Sequence, residues 1–287
     1  MLWVIYSLIS AFSYATCDAL SKKAMEKQNP YIILWIRLAY CIPFLIPILI
    51  FTKIPMLDFV FWRTILVLLP LEITAELLYV RAIKISPLSL TIPFLSLTPV
   101  FLLFVSFFIL EELPTVAGVI GVILVTVGGY TLNLHLTQQG ILEPLKAIAR
   151  EKGSVYMIIV SFIFSITATL GKLAILHSNP TFFGTVYFII LGIIFTPIAI
   201  IKSKERFVTF FKTSKSYFLI GFFFAAMLIS HCLAIQLIEV SYMISIKRSS
   251  LIFSIIYGWL IFKEENIKER LLGTLFMIAG MVLITLF

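Results

Sequence analysis

Apolar residues run along this chain in blocks of roughly 20, separated by short polar connections rich in Lys, Glu, Asn and Pro. A helix needs about 20 apolar residues to cross ~30 Å of hydrocarbon. Ten segments meet that length: 2–21, 31–51, 62–81, 87–110, 115–134, 154–176, 181–201, 216–236, 241–262 and 270–287. The first starts at Leu2 with no basic run ahead of it, so it reads as a membrane helix and not as a cleaved leader. The longest connection, Asn133 to Gly153, contains Gln138-Gln139-Gly140 and the stretch from Lys146 to Lys152. It divides the segments into five and five. The expected organisation is a first unit over 1–134, a linker loop over 135–153 and a second unit over 154–287.

The two units resemble each other. At an offset of 150, Tyr6, Phe12, Lys22, Asn29-Pro30 and Pro47 recur as Tyr156, Phe162, Lys172, Asn179-Pro180 and Pro197. At an offset of 152, Ala82, Ser89, Glu112, Gly121 and Gly128 recur as Ala234, Ser241, Glu264, Gly273 and Gly280. Five spans per unit is an odd number, so the second copy enters the membrane the other way up. The predicted fold class is all-α integral membrane, with ten transmembrane helices as two inverted five-helix repeats around a central cavity. Inverted repeats of this kind are the architecture of secondary transporters, whose sites lie near the midplane between the copies.

Composition supports lipid as the solvent. Of 287 residues, 61% are hydrophobic and 13% charged, with mean hydropathy +1.11; a soluble domain carries about 25% charged residues. Disorder and a secreted disulfide scaffold are excluded by the same figures. The net charge of +8 does not indicate nucleic acid, because the basic residues sort by membrane face. Sixteen of the 22 Lys and Arg, from Lys22 to Arg270, fall in or beside the odd-numbered loops, against Lys53 and Arg63 on the other side. Cytoplasmic loops carry such an excess, so both termini are expected outside. Cys17, Cys41 and Cys232 lie in apolar segments without metal-ligand spacing and read as small core residues, and no metal or cofactor is expected.

Ionisable residues inside spans are costly and face the bundle interior. The third span carries Glu72 and Glu76, whose i, i+4 spacing puts both carboxylates on one helical face. The ninth carries Lys247 and Arg248; consecutive residues on a helix diverge by about 100°, so only one would point at the cavity axis. Acid thus belongs to the first repeat and base to the second. Either these groups pair into a network that holds the repeats together, or they bind the charged groups of a substrate or a coupling proton. Asp18 and Lys22, with Arg37 across the first loop, form an expected interfacial cluster. His231 of the eighth span is a candidate to bind substrate or titrate, with packing as the alternative, and Tyr79, Ser96, Thr98, Tyr242 and Ser249 are candidate hydrogen-bonding groups of the cavity. Pro87, Pro93 and Pro99 should bend the fourth span and free carbonyls that must face protein or a cavity.

The run Tyr79-Val-Arg-Ala-Ile-Lys84, then Ser-Pro-Leu-Ser-Leu-Thr, Thr98-Pro99-Val-Phe, Glu111-Glu112 and the glycines Gly121 and Gly128 resembles the EamA-type drug/metabolite transporter superfamily. The pattern returns from Ala234 through Lys263-Glu264-Glu265 to Gly273 and Gly280. This resemblance implies that spans 1–4 and 6–9 surround a cavity and that spans 5 and 10 lie outside it. The glycines recur every seven residues on one face, where small residues let helices approach closely. Glu112 and Glu264 sit in turns and are expected to favour the N-terminus of the helix that follows. Lys247-Arg248 also resembles the pair that binds phosphate in the plastid phosphate-translocator branch, but a lysine in the core of the fourth span is missing.

The expected function is secondary transport, by alternating access, of a small polar, zwitterionic or amphipathic metabolite, with export as the expected direction. The alternatives are an organic-phosphate or nucleotide-sugar-like antiporter and a flippase for a lipid-linked substrate. Expected partners are the substrate, membrane lipids and a coupling proton or counter-substrate; the expected location is the inner membrane of a prokaryote. An enzyme is disfavoured, because His-Glu-x-x-His, Gly-x-Ser-x-Gly and an Asp-rich diphosphate motif are all missing from the sequence.

Overall fold

The computed structural model describes residues 2–98, 100–101, 116–203, 215–235, 237, 243 and 246–286, and every regular element among them is helical. In chain order the helices are α1 Leu2–Ala24, α2 Pro30–Phe51, α3 Phe59–Ile85, α4 Leu88–Thr91, α5 Val116–Thr131, α6 Glu143–Arg150, α7 Lys152–Leu176, α8 Pro180–Ser203, α9 Lys215–Ile235, α10 Ser250–Phe262 and α11 Ile267–Leu286. Among the described residues, α2, α7, α8 and the Lys215–Ala234 part of α9 are long and apolar enough to cross a membrane. α1, α3 and α11 have similar lengths and carry several charged side chains each.

Short polar side chains fix where helices start. Asn29 Oδ1 accepts the Tyr31 N–H at 3.0 Å ahead of α2, and its repeat partner Asn179 Oδ1 accepts the Phe182 N–H at 2.8 Å ahead of α8. The recurring Asn-Pro is therefore a duplicated N-cap, with proline at the first helical position where its missing N–H is harmless. Asp58 performs the same task for α3, its Oδ1 accepting the Phe61 N–H at 2.9 Å.

The fourth and ninth segments are not the continuous helices their apolar runs predict. α4 ends after one turn at Thr91 and passes into a 3₁₀ segment, Ile92–Ser96, with Pro93 near its start. The freed carbonyls face protein: Ser96 Oγ donates to the Pro93 carbonyl at 2.6 Å and Ser161 Oγ of α7 to the Phe94 carbonyl at 2.8 Å. Pro99 lies outside the described residues. In the second half, α10 begins only at Ser250, and Ser249, Leu251 and Ile252 make tight i to i−3 bonds to Ile246, Arg248 and Ser249. The turn at 248–249 maps by the 152-residue offset onto 96–97, at the end of the 3₁₀ segment. Both copies interrupt the same span.

Helices pair across the halves. The most extensive contacts join α5 to α11, α1 to α9, α3 to α7 and α2 to α8, with α4 against α10. Exchanging each first-half helix for its second-half counterpart turns this set of pairs into itself. Where α5 meets α11 the backbones nearly touch: a Cβ on Gly128 would stand 2.5 Å from the Gly273 carbonyl oxygen, and one on Gly121 2.6 Å from that of Gly280. Only glycine permits this approach.

The connection expected as an irregular linker contains the short helix α6, preceded by a 3₁₀ turn over Leu134–Gln139. Pro144 and Ile148 turn inward, while Leu142, Leu145, Lys146 and Arg150 face out. Its periodicity was hidden because it spans barely two turns.

Candidate functional site

The deepest polar group is an ion pair between the first two helices. Arg37 of α2 donates from Nη2 to Asp18 Oδ1 of α1 at 2.7 Å, with both side chains essentially sealed from solvent at 0% and 1% exposure. Its Nε donates to Ser21 Oγ at 2.9 Å. The second carboxylate oxygen of Asp18 accepts the Tyr79 hydroxyl of α3 at 2.5 Å. Tyr79 stacks on Tyr14 with ring centroids 5.8 Å apart, and the guanidinium lies 5.6 Å from the Tyr79 centroid. Desolvating two charges is offset here by opposite charge, short hydrogen bonds and aromatic faces.

Lys22 is not part of that pair, contrary to the expected cluster. One turn beyond Asp18 it reaches the end of α3, donating to the Ile83 carbonyl at 2.8 Å and to the Ser86 carbonyl. A cation at helix-terminal carbonyls satisfies acceptors that have no intrahelical partner.

One helical turn above Tyr79, Glu76 is buried, and its Oε2 has no hydrogen-bond partner. The charges acting on it are those of Arg37, Asp18 and Lys247. Glu72 follows on the same face of α3, near Glu76 and Thr167 of α7. The second half supplies the bases. Lys247 Nζ lies 3.2 Å from Nδ1 of His231 on α9, which accepts from the ammonium, 3.5 Å from Met227 Sδ and 5.6 Å from the centroid of the Tyr14 ring. Arg248 Nε is buried without a partner. Among the described residues no ion pair joins Glu72 or Glu76 to Lys247 or Arg248.

Glu72, His231, Lys247 and Arg248 are surrounded by protein yet keep part of their surface free. Because the ninth span turns at 248–249, Lys247 and Arg248 precede the N-terminus of α10. The partial positive charge of that terminus adds to theirs.

Other expected site residues go elsewhere. Ser96 spends its hydroxyl on the local Pro93 carbonyl. Glu264 does cap a helix, but α4 of the other half, not the α11 that follows it: Oε1 accepts the Leu88 N–H at 2.7 Å, and Oε2 the Ser89 N–H at 3.0 Å and the Ser89 hydroxyl at 2.5 Å. Arg270 lies 3.5 Å from the same oxygen and donates to Ser89 Oγ at 2.6 Å. In the short loop between α10 and α11 that carries Glu264, Lys263 and Asn266 take left-handed conformations. Tyr242 and Glu112 lie outside the described residues.

Two residues of the site escaped the sequence reading. Tyr14 provides the ring beneath Lys247. Tyr187 of α8 stacks on Phe183 with centroids 5.1 Å apart, lies in the field of Glu72 and Glu76, and has an unpartnered hydroxyl. The repeat offers the missing signal for Tyr187, which is the 150-offset counterpart of Arg37.

Comparison with curated protein sequences gives no match. A family profile gives two, over residues 1–134 and again over 151–286, and both belong to the EamA-like transporter family. With its apolar spanning helices and this duplicated match over nearly its whole length, the chain belongs to the EamA-like transporter family and is a multi-pass membrane transporter of the drug/metabolite transporter superfamily.

Proposed function

We propose that the protein is a secondary transporter that carries a small zwitterionic or amphipathic metabolite by alternating access, with Glu72 and Glu76 at one end of the bound solute and Lys247 and Arg248 at the other. One observation carries this reading. Glu76 of one half and Arg248 of the other keep buried polar atoms without a partner, and Glu76 does so although the charge of Lys247 lies nearby. Leaving buried polar atoms unpaired costs about 1–3 kcal/mol each, more for charged groups. A solute with both charges satisfies both ends at once, and its binding draws the two halves together.

The architecture that goes with this function is ten spans in two inverted repeats, 1–134 and 154–287, with both termini outside a prokaryotic inner membrane. Broken spans beside the site, as at 92–96 and ahead of α10, are a recurring device of such carriers. Tyr14, Tyr79 and Tyr187 give the solute aromatic walls, and His231 holds the Lys247 ammonium in position. An organic phosphate is the second reading, favoured by two adjacent bases at a helix N-terminus and opposed by the two glutamates.

The test uses purified protein in liposomes. Thermal-shift screening against amino acids, nucleosides, sugar phosphates and cationic drugs identifies a ligand through the stabilisation it confers. Counterflow of the labelled ligand is then measured for Glu76→Gln and Lys247→Gln. Both variants should retain the fold and lose at least about tenfold in transport, the effect of roughly 1.4 kcal/mol at the site. Normal transport by both would sink the proposed site.

A further inference from the structure

The helix α6, between the last helix of the first half and the first of the second, has three distinct faces. Pro144 and Ile148 lie against the protein. Leu142 and Leu145 form a ridge on a second face, continued by the preceding Ile141, and are 60%, 46% and 79% exposed. Beside the ridge stand Lys146 and Arg150, one turn apart, with side chains 51% and 72% exposed, and then exposed Lys152. Glu143 holds the two cations at 2.7 and 3.4 Å and so sets them next to the ridge.

A ridge of large aliphatic side chains has no reason to face water when the helix is pinned at both ends, by the Tyr130 hydroxyl on the Ile141 carbonyl at 2.8 Å and by Glu151 on the Ser86 hydroxyl. Ile123 and Val127 of α5, the helix that precedes this connection, are exposed as well. The same end of the bundle carries exposed Lys23, Lys27 and Lys84, the last donating to the Gln28 carbonyl at 3.3 Å. An apolar ridge flanked by cations fits the boundary between acyl chains and anionic headgroups.

We propose that α6 is an interfacial lipid-binding element: Ile141, Leu142 and Leu145 enter the acyl boundary of the protein's own membrane, and Lys146, Arg150 and Lys152 bind the phosphates of anionic lipids. The partner is the anionic leaflet surface, and the inference does not depend on the transported solute.

The experiment places a nitroxide at Leu145→Cys in the full chain, with Cys17, Cys41 and Cys232 replaced by Ala. The protein is reconstituted into vesicles of phosphatidylcholine alone or mixed with phosphatidylglycerol, and label depth is read from accessibility to oxygen against a water-soluble nickel chelate. With phosphatidylglycerol the label should sit below the headgroups. Lys146→Gln/Arg150→Gln, or removal of the anionic lipid, should shift it toward water, because each cation at an anionic surface strengthens docking by about fivefold. A label that faces water in anionic vesicles overturns the proposal. Equal immersion in both lipids, unmoved by the double substitution, overturns the anionic partner. A folded variant, verified by unchanged monodispersity and thermal unfolding, keeps either result interpretable.

Discussion

Two polar groups in this bundle lie side by side and are built in opposite ways. Around Asp18 and Arg37, both carboxylate oxygens and two of the three guanidinium nitrogens are engaged, and aromatic rings cover the pair. Around Glu76, Arg248 and Tyr187, acids and bases stand near one another with atoms left unpaired. The repeat makes the contrast sharper. The 150-offset counterparts of Asp18 and Arg37 are Ala168 and Tyr187, so the second half has lost the ion pair and kept one hydroxyl. Likewise Tyr79, which binds Asp18, corresponds at offset 152 to His231, which binds Lys247. Equivalent positions of the two halves thus hold a fully paired brace in one and a group with unpartnered polar atoms in the other. The two groups meet at Arg37, whose Nη1 is also unpartnered and whose charge acts on Glu76.

Substitution tests this contrast most severely at the brace. Arg37→Met leaves Asp18 buried without its cation and should destabilise the folded protein by about 3–5 kcal/mol, read as a large fall in the thermal unfolding midpoint in detergent. Adding Asp18→Asn should recover much of that loss, because an apolar or neutral replacement of a whole buried pair is often tolerated. If Arg37→Met unfolds no earlier than the wild type, the brace is not structural.

A smaller effect is expected at Glu264, which joins the halves through α4. Glu264→Ala removes charge-assisted hydrogen bonds to Leu88 and Ser89 and should cost about 1.5–3 kcal/mol. Hydrogen exchange should localise the loss to the amides of Leu88 and Ser89, and unchanged protection there would contradict the capping role.

In the unpaired group, stability and activity should separate. Tyr187→Phe deletes a hydroxyl that bonds to nothing, so the unfolding midpoint should stay level or rise, within about 0.5 kcal/mol. Transport of the identified solute should fall. A marked loss of stability would mean that Tyr187 belongs with the brace.

The smallest effect is expected at the end of the bundle where Asp58 meets His177 at 2.6 Å. The Phe61 N–H, and after it His177, hold the Asp58 carboxyl below its ordinary value. A depressed carboxyl stabilises the fold above its unfolded value of about 4. That contribution disappears as pH falls through the lower folded value. Thermal unfolding from pH 6 down to pH 3 should therefore show a slightly shallower decline in Asp58→Asn than in wild type, and superimposable profiles would remove Asp58 from the account.

Much of this was readable in the residues, for reasons that differ from place to place. The Asn29-Pro30 and Asn179-Pro180 repeats act locally, within one turn, so a duplicated cap was legible before any fold was known. The heptad-spaced glycines announced a close helix contact, though not that Gly128 would face Gly273. Pro93 signalled the broken fourth span. The turn before α10 has no proline near it to announce it. Glu264 looked like a cap for its own helix because sequence distance is the only distance a sequence displays.

The sequence by itself determined the solvent, the helical class, the duplication and which ionisable groups must be inside, because lipid penalises charge strongly enough for composition and placement to reveal it. Only the tertiary structure decided which of those groups neutralise one another. Asp18, 19 residues from Arg37, found its partner, while Glu76 did not take Lys247 or Arg248. That choice rests on ångström-scale geometry between different helices, about which spacing along a single helix carries no information.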